Sequence, residues 1–102
     1  MKLLALMLLL TRLCVTQTTF AASVYAGQAK AAAVCSQCHG IRIPSEGAPF
    51  PQLAGQDQQY LETALKQYRD KTRRNDIMNA IAGSLSDADI NSVAGYYSKL
   101  KP

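Results

Sequence analysis

Apolar residues recur at helical spacing over four stretches of the chain, and no stretch shows the two-residue alternation of a strand. The first stretch runs from about Val24 to Cys38, with Gly27, Ala31, Val34, Cys35 and Cys38 on its inward face. Gly27 there would let another helix come close. The second runs from about Asp57 to Asp70, where Leu61, Ala64, Leu65 and Tyr68 follow the i, i+3, i+4, i+7 pattern of an amphipathic helix. A short third stretch spans Asp76 to Gly83, with Ile77, Ile81 and Ala82 apolar. The fourth runs from Asp87 to Leu100 and buries Ile90, Val93, Ala94 and Tyr97. Ser86 precedes it and Asp89 follows three positions later, the signature of a capping box. Between the first two helices, Gly40 to Gly55 holds three glycines and three prolines, which excludes regular structure. A loop of that length in a small domain is usually functional. The fold class is all-α.

The N-terminus reads differently. Lys2 gives a positive start, Leu3 to Leu10 is an unbroken apolar run, and small residues cluster at Ala21, Ala22 and Ser23. This order predicts a secretory signal peptide over residues 1–22, with cleavage somewhere between 21 and 26, followed by one domain over 23–102. The run falls short of the roughly 18 apolar residues of a membrane span. An uncleaved anchor is the rival reading. Cys14 hints at lipoprotein processing, but Arg12 and Leu13 before it are not the small residues such processing needs.

The leader changes the charge. The full chain carries +4; without Lys2 and Arg12, nine basic and seven acidic residues leave +2. Strong nucleic-acid binding is not suggested. The basic residues nonetheless cluster, with Lys66, Arg69, Lys71, Arg73 and Arg74 close together. A solvated helix end, a docking patch or contacts to an anionic group all fit this cluster. About 80 residues bury little apolar surface, and domains of that size usually need a staple. Only Cys35 and Cys38 remain after the leader, too close together to close a useful disulfide loop.

Those two cysteines belong to Cys35-Ser36-Gln37-Cys38-His39, the C-x-x-C-H signature of haem c attachment. Positions i, i+3 and i+4 share one helix face. Two thiols can therefore form thioethers with the haem vinyl groups while the neighbouring imidazole meets the iron from the same side. One covalently bound haem would be the staple. Structural zinc would want four ligands, and a thioredoxin-like dithiol a βαβ unit; neither is in this sequence. His39 is the only histidine, and its place after the cysteines makes it the proximal iron ligand. Met78 is the only methionine beyond the leader, and no second histidine competes for the other axial position. Met78 as sixth ligand stands against an open iron site and against plain core filler.

Four segments together resemble a known family. They are Cys35 to Gly40; Pro51-Gln52-Leu53-Ala54-Gly55-Gln56 leading to Tyr60-Leu61; Arg73-Arg74-Asn75-Asp76-Ile77-Met78; and Leu85 to Ile90 running on to Tyr96-Tyr97. In this order they resemble the class I cytochromes c, especially the bacterial c4/c5/c553-type mono-haem group. The resemblance implies about four helices wrapped around one covalently attached haem. Cys35 and Cys38 match the attachment cysteines, and His39 and Met78 the axial ligands. Pro51 matches a proline whose carbonyl accepts a hydrogen bond from the proximal imidazole. Arg73 or Arg74 would meet a haem propionate. Gly27 matches a glycine where the first helix crosses the last, there meeting Val93, Ala94 and Tyr97. The family often has an aromatic residue where Ala31 stands, so this crossing should be less filled unless Tyr96 and Tyr97 compensate.

The function this implies is one-electron transport in the periplasm, between respiratory or dehydrogenase partners, with no enzymatic activity. Methionine and histidine together saturate the iron, and the chain offers no base, nucleophile or second metal. Partners would be an oxidase, reductase or dehydrogenase, met transiently across an apolar rim that includes Pro49-Phe50-Pro51. Phe50 could equally be core. Membrane contact would come only through a partner complex or an uncleaved leader. The rivals are a haem protein with a labile sixth ligand, binding small ligands or reacting with peroxide, and a fixed haem subunit of a larger oxidoreductase.

Overall fold

The computed structural model describes residues 25–44 and 47–102. The expected leader, and the expected start of the first helix at Val24, lie outside the described residues. Within them the protein is all-helical, with no strand. We label four helices: α1 over 25–39, α2 over Gln58–Asp70, α3 over Asp76–Gly83 and α4 over Asp87–Lys99.

Three of the four start where a side chain takes up a free backbone N–H, as helix ends require. Asp57 accepts from Tyr60 N–H at 2.9 Å, and Asn75 accepts from Met78 N–H at 2.9 Å. Ser86 and Asp89 form the full capping box, both bonds at 3.0 Å. Asp57 is thus the cap and not the first helical residue. Its ψ of 132° is extended, because the capping geometry needs a non-helical backbone. At the far end α4 stops at Lys99, since Leu100 has turned to extended backbone.

Helix α1 departs from the even winding that its sequence suggests. Residues Ala31–Cys35 form a π-helical turn before Ser36–His39 returns to α geometry. The buried positions are Gly27, Ala31, Cys35 and His39, four residues apart each time. In an α-helix of 3.6 residues per turn, every such step overshoots a full turn by about 40°. The slacker π turn absorbs that overshoot, so Ala31, Cys35 and His39 stay in line. Single π turns of this kind are common at functional sites. Val34 and Cys38, expected inward, are half-buried at the edges of this line.

Helix α4 is the spine of the core. Ile90, Val93, Ala94 and Tyr97 are all buried, and burying Ile90 alone is worth about 2 kcal/mol. Val93, Ala94 and Tyr97 join Ala31 and Cys35 of α1 and Leu61 of α2 in one cluster. Helix α2 packs on both α3 and α4. Gly27 sits at the crossing of α1 and α4, where the nearest atoms to a Cβ would be the Ser92 carbonyl, which it would strike, and Tyr96 Cβ. The glycine rides over the Ser92–Tyr96 ridge, and Val93, Ala94 and Tyr97 reach α1 one turn later. Ala31 is fully buried there, and Tyr96 meets Tyr97 edge to face with centroids 5.5 Å apart. On α3, Ala82 is buried but Ile77 is 58% exposed, so the short helix presents part of its apolar face outward.

Candidate functional site

The carboxyl end of α1 brings Cys35, Cys38 and His39 to one wall of a cavity of about 390 Å³. Cys35 and His39 are buried, Cys38 is half-buried, and the two thiols are not joined to each other. Burial pushes the Cys35 thiol up from its ordinary range, and the Lys30 charge only partly offsets this. The His39 ring is held from outside the helix. Its Nδ1 lies 2.8 Å from the Pro51 carbonyl oxygen. With the proton on Nδ1 donating to that oxygen, the Nε2 lone pair is free for a metal. Phe50 stands edge-on to the imidazole, centroids 6.0 Å apart, and belongs to the cavity wall. Gly40 ends the helix with φ of 69°; a side chain there would strike the Ile43 carbonyl.

Another part of the cavity wall is built by α3 and the turn before it. Met78 lines the cavity and is half-buried. Its N–H is capped by Asn75, and Asn75 N–H in turn donates to Asn79 Oδ1 at 3.0 Å. Asn79 Nδ2 donates to the Tyr68 carbonyl at 2.7 Å and the Arg73 carbonyl at 2.8 Å. One amide thus fastens the end of α2, the 71–75 turn and the start of α3 together. Sequence reading did not single out Asn79. The only available signal was an amide four residues after a cap.

The basic cluster divides by location. Arg69 is a brace, paired to Asp87 at 2.6 Å and donating to the Leu85 carbonyl at 3.3 Å. Arg73 lines the cavity mouth, 5.1 Å over the Tyr68 ring and 3.5 Å from the Tyr60 hydroxyl. Arg74, Lys66 and Lys71 are exposed and do not line it.

The cavity suits an apolar occupant. Its walls are mostly apolar, with Leu53, Leu61, Leu65, Ile81, Leu85 and Val93 among them. An open, mostly apolar pocket with a few convergent polar groups is the usual form of a cofactor site. Among the described residues, no three His, Cys, Asp or Glu side chains converge on a bare metal ion. A flat apolar macrocycle that reacts with two thiols and takes one imidazole fits this donor set.

An all-helical shell with a thiol pair and an imidazole on one wall of an apolar cavity defines a haem c domain. The chain belongs to the cytochrome c family, whose description matches residues 24–101, and the family's cofactor is covalently bound haem c. The thiosulfate dehydrogenase electron acceptor of Thiomonas intermedia is 43% identical over 72 residues, which cover 70% of this chain and 33% of that one. Cytochrome c-554(548) of Halomonas halodenitrificans is 40% identical over 67 residues, covering 63% of this chain and 81% of that one. The solved cytochrome c4 of Acidithiobacillus ferrooxidans superposes with a TM-score of 0.68 at 34% identity, over 78% of this chain and 50% of that chain. The chain thus spans about a third of the Thiomonas protein and half of the solved cytochrome c4.

Proposed function

We propose that this protein is a mono-haem one-electron carrier, with haem joined to Cys35 and Cys38 and its iron held between His39 and Met78. The observation that carries this reading is the pairing of His39 and Met78 as lining residues of one apolar cavity, with His39 Nδ1 bonded to Pro51. The bound haem supplies a ferric/ferrous couple. The chain's own residues orient it and exclude water. Pro51 fixes the imidazole plane and strengthens the ligand. Arg73, at the cavity mouth, is better placed than Arg74 to meet a propionate.

The partners are redox proteins, an oxidase, reductase or dehydrogenase, met transiently outside the cytoplasm. Residues 1–22 act as the export leader, and the periplasm is where the carrier works. The rim supports a small docking face: Pro49 and Pro51 are exposed beside Phe50, and Tyr60 and Ile77 are 48% and 58% exposed at the same mouth. Segment 66–76 beside it carries five basic and two acidic residues, whereas the rest of residues 25–102 carries four basic and five acidic. The net positive charge of the domain therefore sits beside the mouth, suited to a partner with an acidic surface.

The test is potentiometric titration of the haem-loaded protein, with carbon monoxide added to the ferrous form. A reversible one-electron transition and a ferrous spectrum unmoved by carbon monoxide support the carrier. A high-spin ferric form, or a ferrous spectrum that shifts on adding carbon monoxide, overturns it in favour of a labile sixth ligand.

A further inference from the structure

The proximal histidine depends on a loop that packs Leu53 and Ala54 inward but has few hydrogen bonds of its own. Residues 40–57 contain no helix or strand among those described, and their internal bonds are local, such as Gln56 N–H to the Leu53 carbonyl at 3.2 Å. Yet Pro51, near the middle of this loop, must keep its carbonyl on His39 Nδ1. Apart from that bond, the Gly40 N–H to Ser36 carbonyl bond and the Asp57 cap of α2, the polar fastenings among the described residues that tie the loop to another element fall on the end of α4 and the tail after it. The Tyr97 hydroxyl donates to the Gly40 carbonyl at 2.9 Å, at the loop's first residue. The Tyr97 carbonyl accepts from Gly55 N–H at 2.9 Å, near the loop's last. Farther out, Arg42 Nη1 donates to the Lys101 carbonyl at 2.8 Å, and Gly55 lies against Pro102.

One residue therefore closes both ends of the loop. Tyr97 is 1% exposed, so its hydroxyl has no water to fall back on, and losing it leaves the Gly40 carbonyl short of a partner beside His39. Burial also pushes the phenol well above its usual range, so it remains a donor at any working pH.

We propose that Tyr97 is a positioning residue for the proximal ligand: by clasping Gly40 and Gly55 it keeps the Pro51 carbonyl on His39 and thereby sets the strength of the imidazole as an iron ligand. The Tyr97 ring lines the cavity and its hydroxyl bonds Gly40, so removing the hydroxyl alone cuts the Gly40 half of the clasp and leaves the main-chain half at Gly55 in place. A weaker bond from His39 to Pro51 makes the imidazole a poorer donor, which favours ferrous over ferric iron.

This inference rests on His39 being the iron ligand. The experiment compares haem-loaded wild type with Tyr97→Phe, and with Tyr96→Phe as the same deletion one residue away. Two quantities are read: the midpoint potential, and the exchange rate of the His39 Nδ1 proton by NMR in the reduced protein. In Tyr97→Phe the reduced-to-oxidised ratio at a fixed ambient potential should rise about threefold, and the ring proton should exchange about tenfold faster. Tyr96→Phe should move neither. Unchanged values in Tyr97→Phe, even with a lower melting temperature, overturn the inference, because the hydroxyl is then only structural. Should Tyr97→Phe fail to hold haem, Arg42→Gln decides: it cuts the outer fastening at an exposed side chain that does not line the cavity. A smaller rise in the same ratio sustains the clasp, and no change overturns it. A wild-type spectrum without histidine ligation would sink the parent reading instead, a result visible before any variant is made.

Discussion

The two walls of the haem cavity hold their residues by different means. On the proximal wall, Cys35, Cys38 and His39 are adjacent in sequence, share one helix face, and need one distant contact, the Pro51 carbonyl. On the distal wall, Met78 sits on the eight-residue α3, which is held in place by Asn75 and Asn79 as well as by its buried Ala82. Ile77, its neighbour, is 58% exposed, while His39 of the same cavity is 8% exposed. The proximal wall is set by local spacing and the distal wall by a tertiary amide network. The distal wall should therefore yield first to perturbation.

Breaking the proximal wall should cost the most. His39→Ala removes the only histidine, and no other residue in the chain can replace it on that face. We expect no stable holoprotein, checked by haem staining of the purified chain after denaturing electrophoresis. Breaking the distal wall should be graded. Asn79→Ala removes three hydrogen bonds and should cost about 2–3 kcal/mol in denaturant unfolding. The haem should stay attached while the methionine-to-iron charge-transfer band weakens. Ser86→Ala sharpens the contrast, because it touches neither wall. Losing the α4 cap should cost about 1 kcal/mol and leave that band intact.

The smallest effect concerns pH. Asp87 is held below its ordinary 3.8, first by the hydrogen bond from Arg69 and then by its charge. A depressed carboxyl contributes stability that is present above 3.8 and is lost as pH falls through its lower folded value. The holoprotein melting temperature should therefore fall on acidification below about pH 4. Asp87→Asn should flatten part of that decline, although Asp70 and Asp89, likewise depressed, will keep the rest.

The same contrast decides what could be read from the sequence. Cys35, Cys38 and His39 announce themselves because the chemistry needs them at fixed local spacing. The Ser86–Asp89 cap and the buried face of α4 follow from three- and four-residue periodicity, and the structure has both. Met78 stood out by elimination, and the structure puts it in the cavity wall. Asn79 was invisible, because its partners Tyr68 and Arg73 lie 11 and 6 residues away on other elements. The choice between Arg73 and Arg74 was equally hidden, since adjacent residues in a turn can point anywhere until the turn is built. The π turn of α1 left only a faint trace, the four-residue rhythm of Gly27, Ala31, Cys35 and His39. Gly27 announced a close helix crossing, but which residues it rides over depends on the crossing itself.

The most direct test is the ferric absorption spectrum of haem-loaded wild type beside Met78→Ala. A low-spin wild-type spectrum with the methionine-to-iron band, absent in the variant, is what a saturated electron carrier predicts. A high-spin wild-type spectrum, or a band that survives in Met78→Ala, would contradict it.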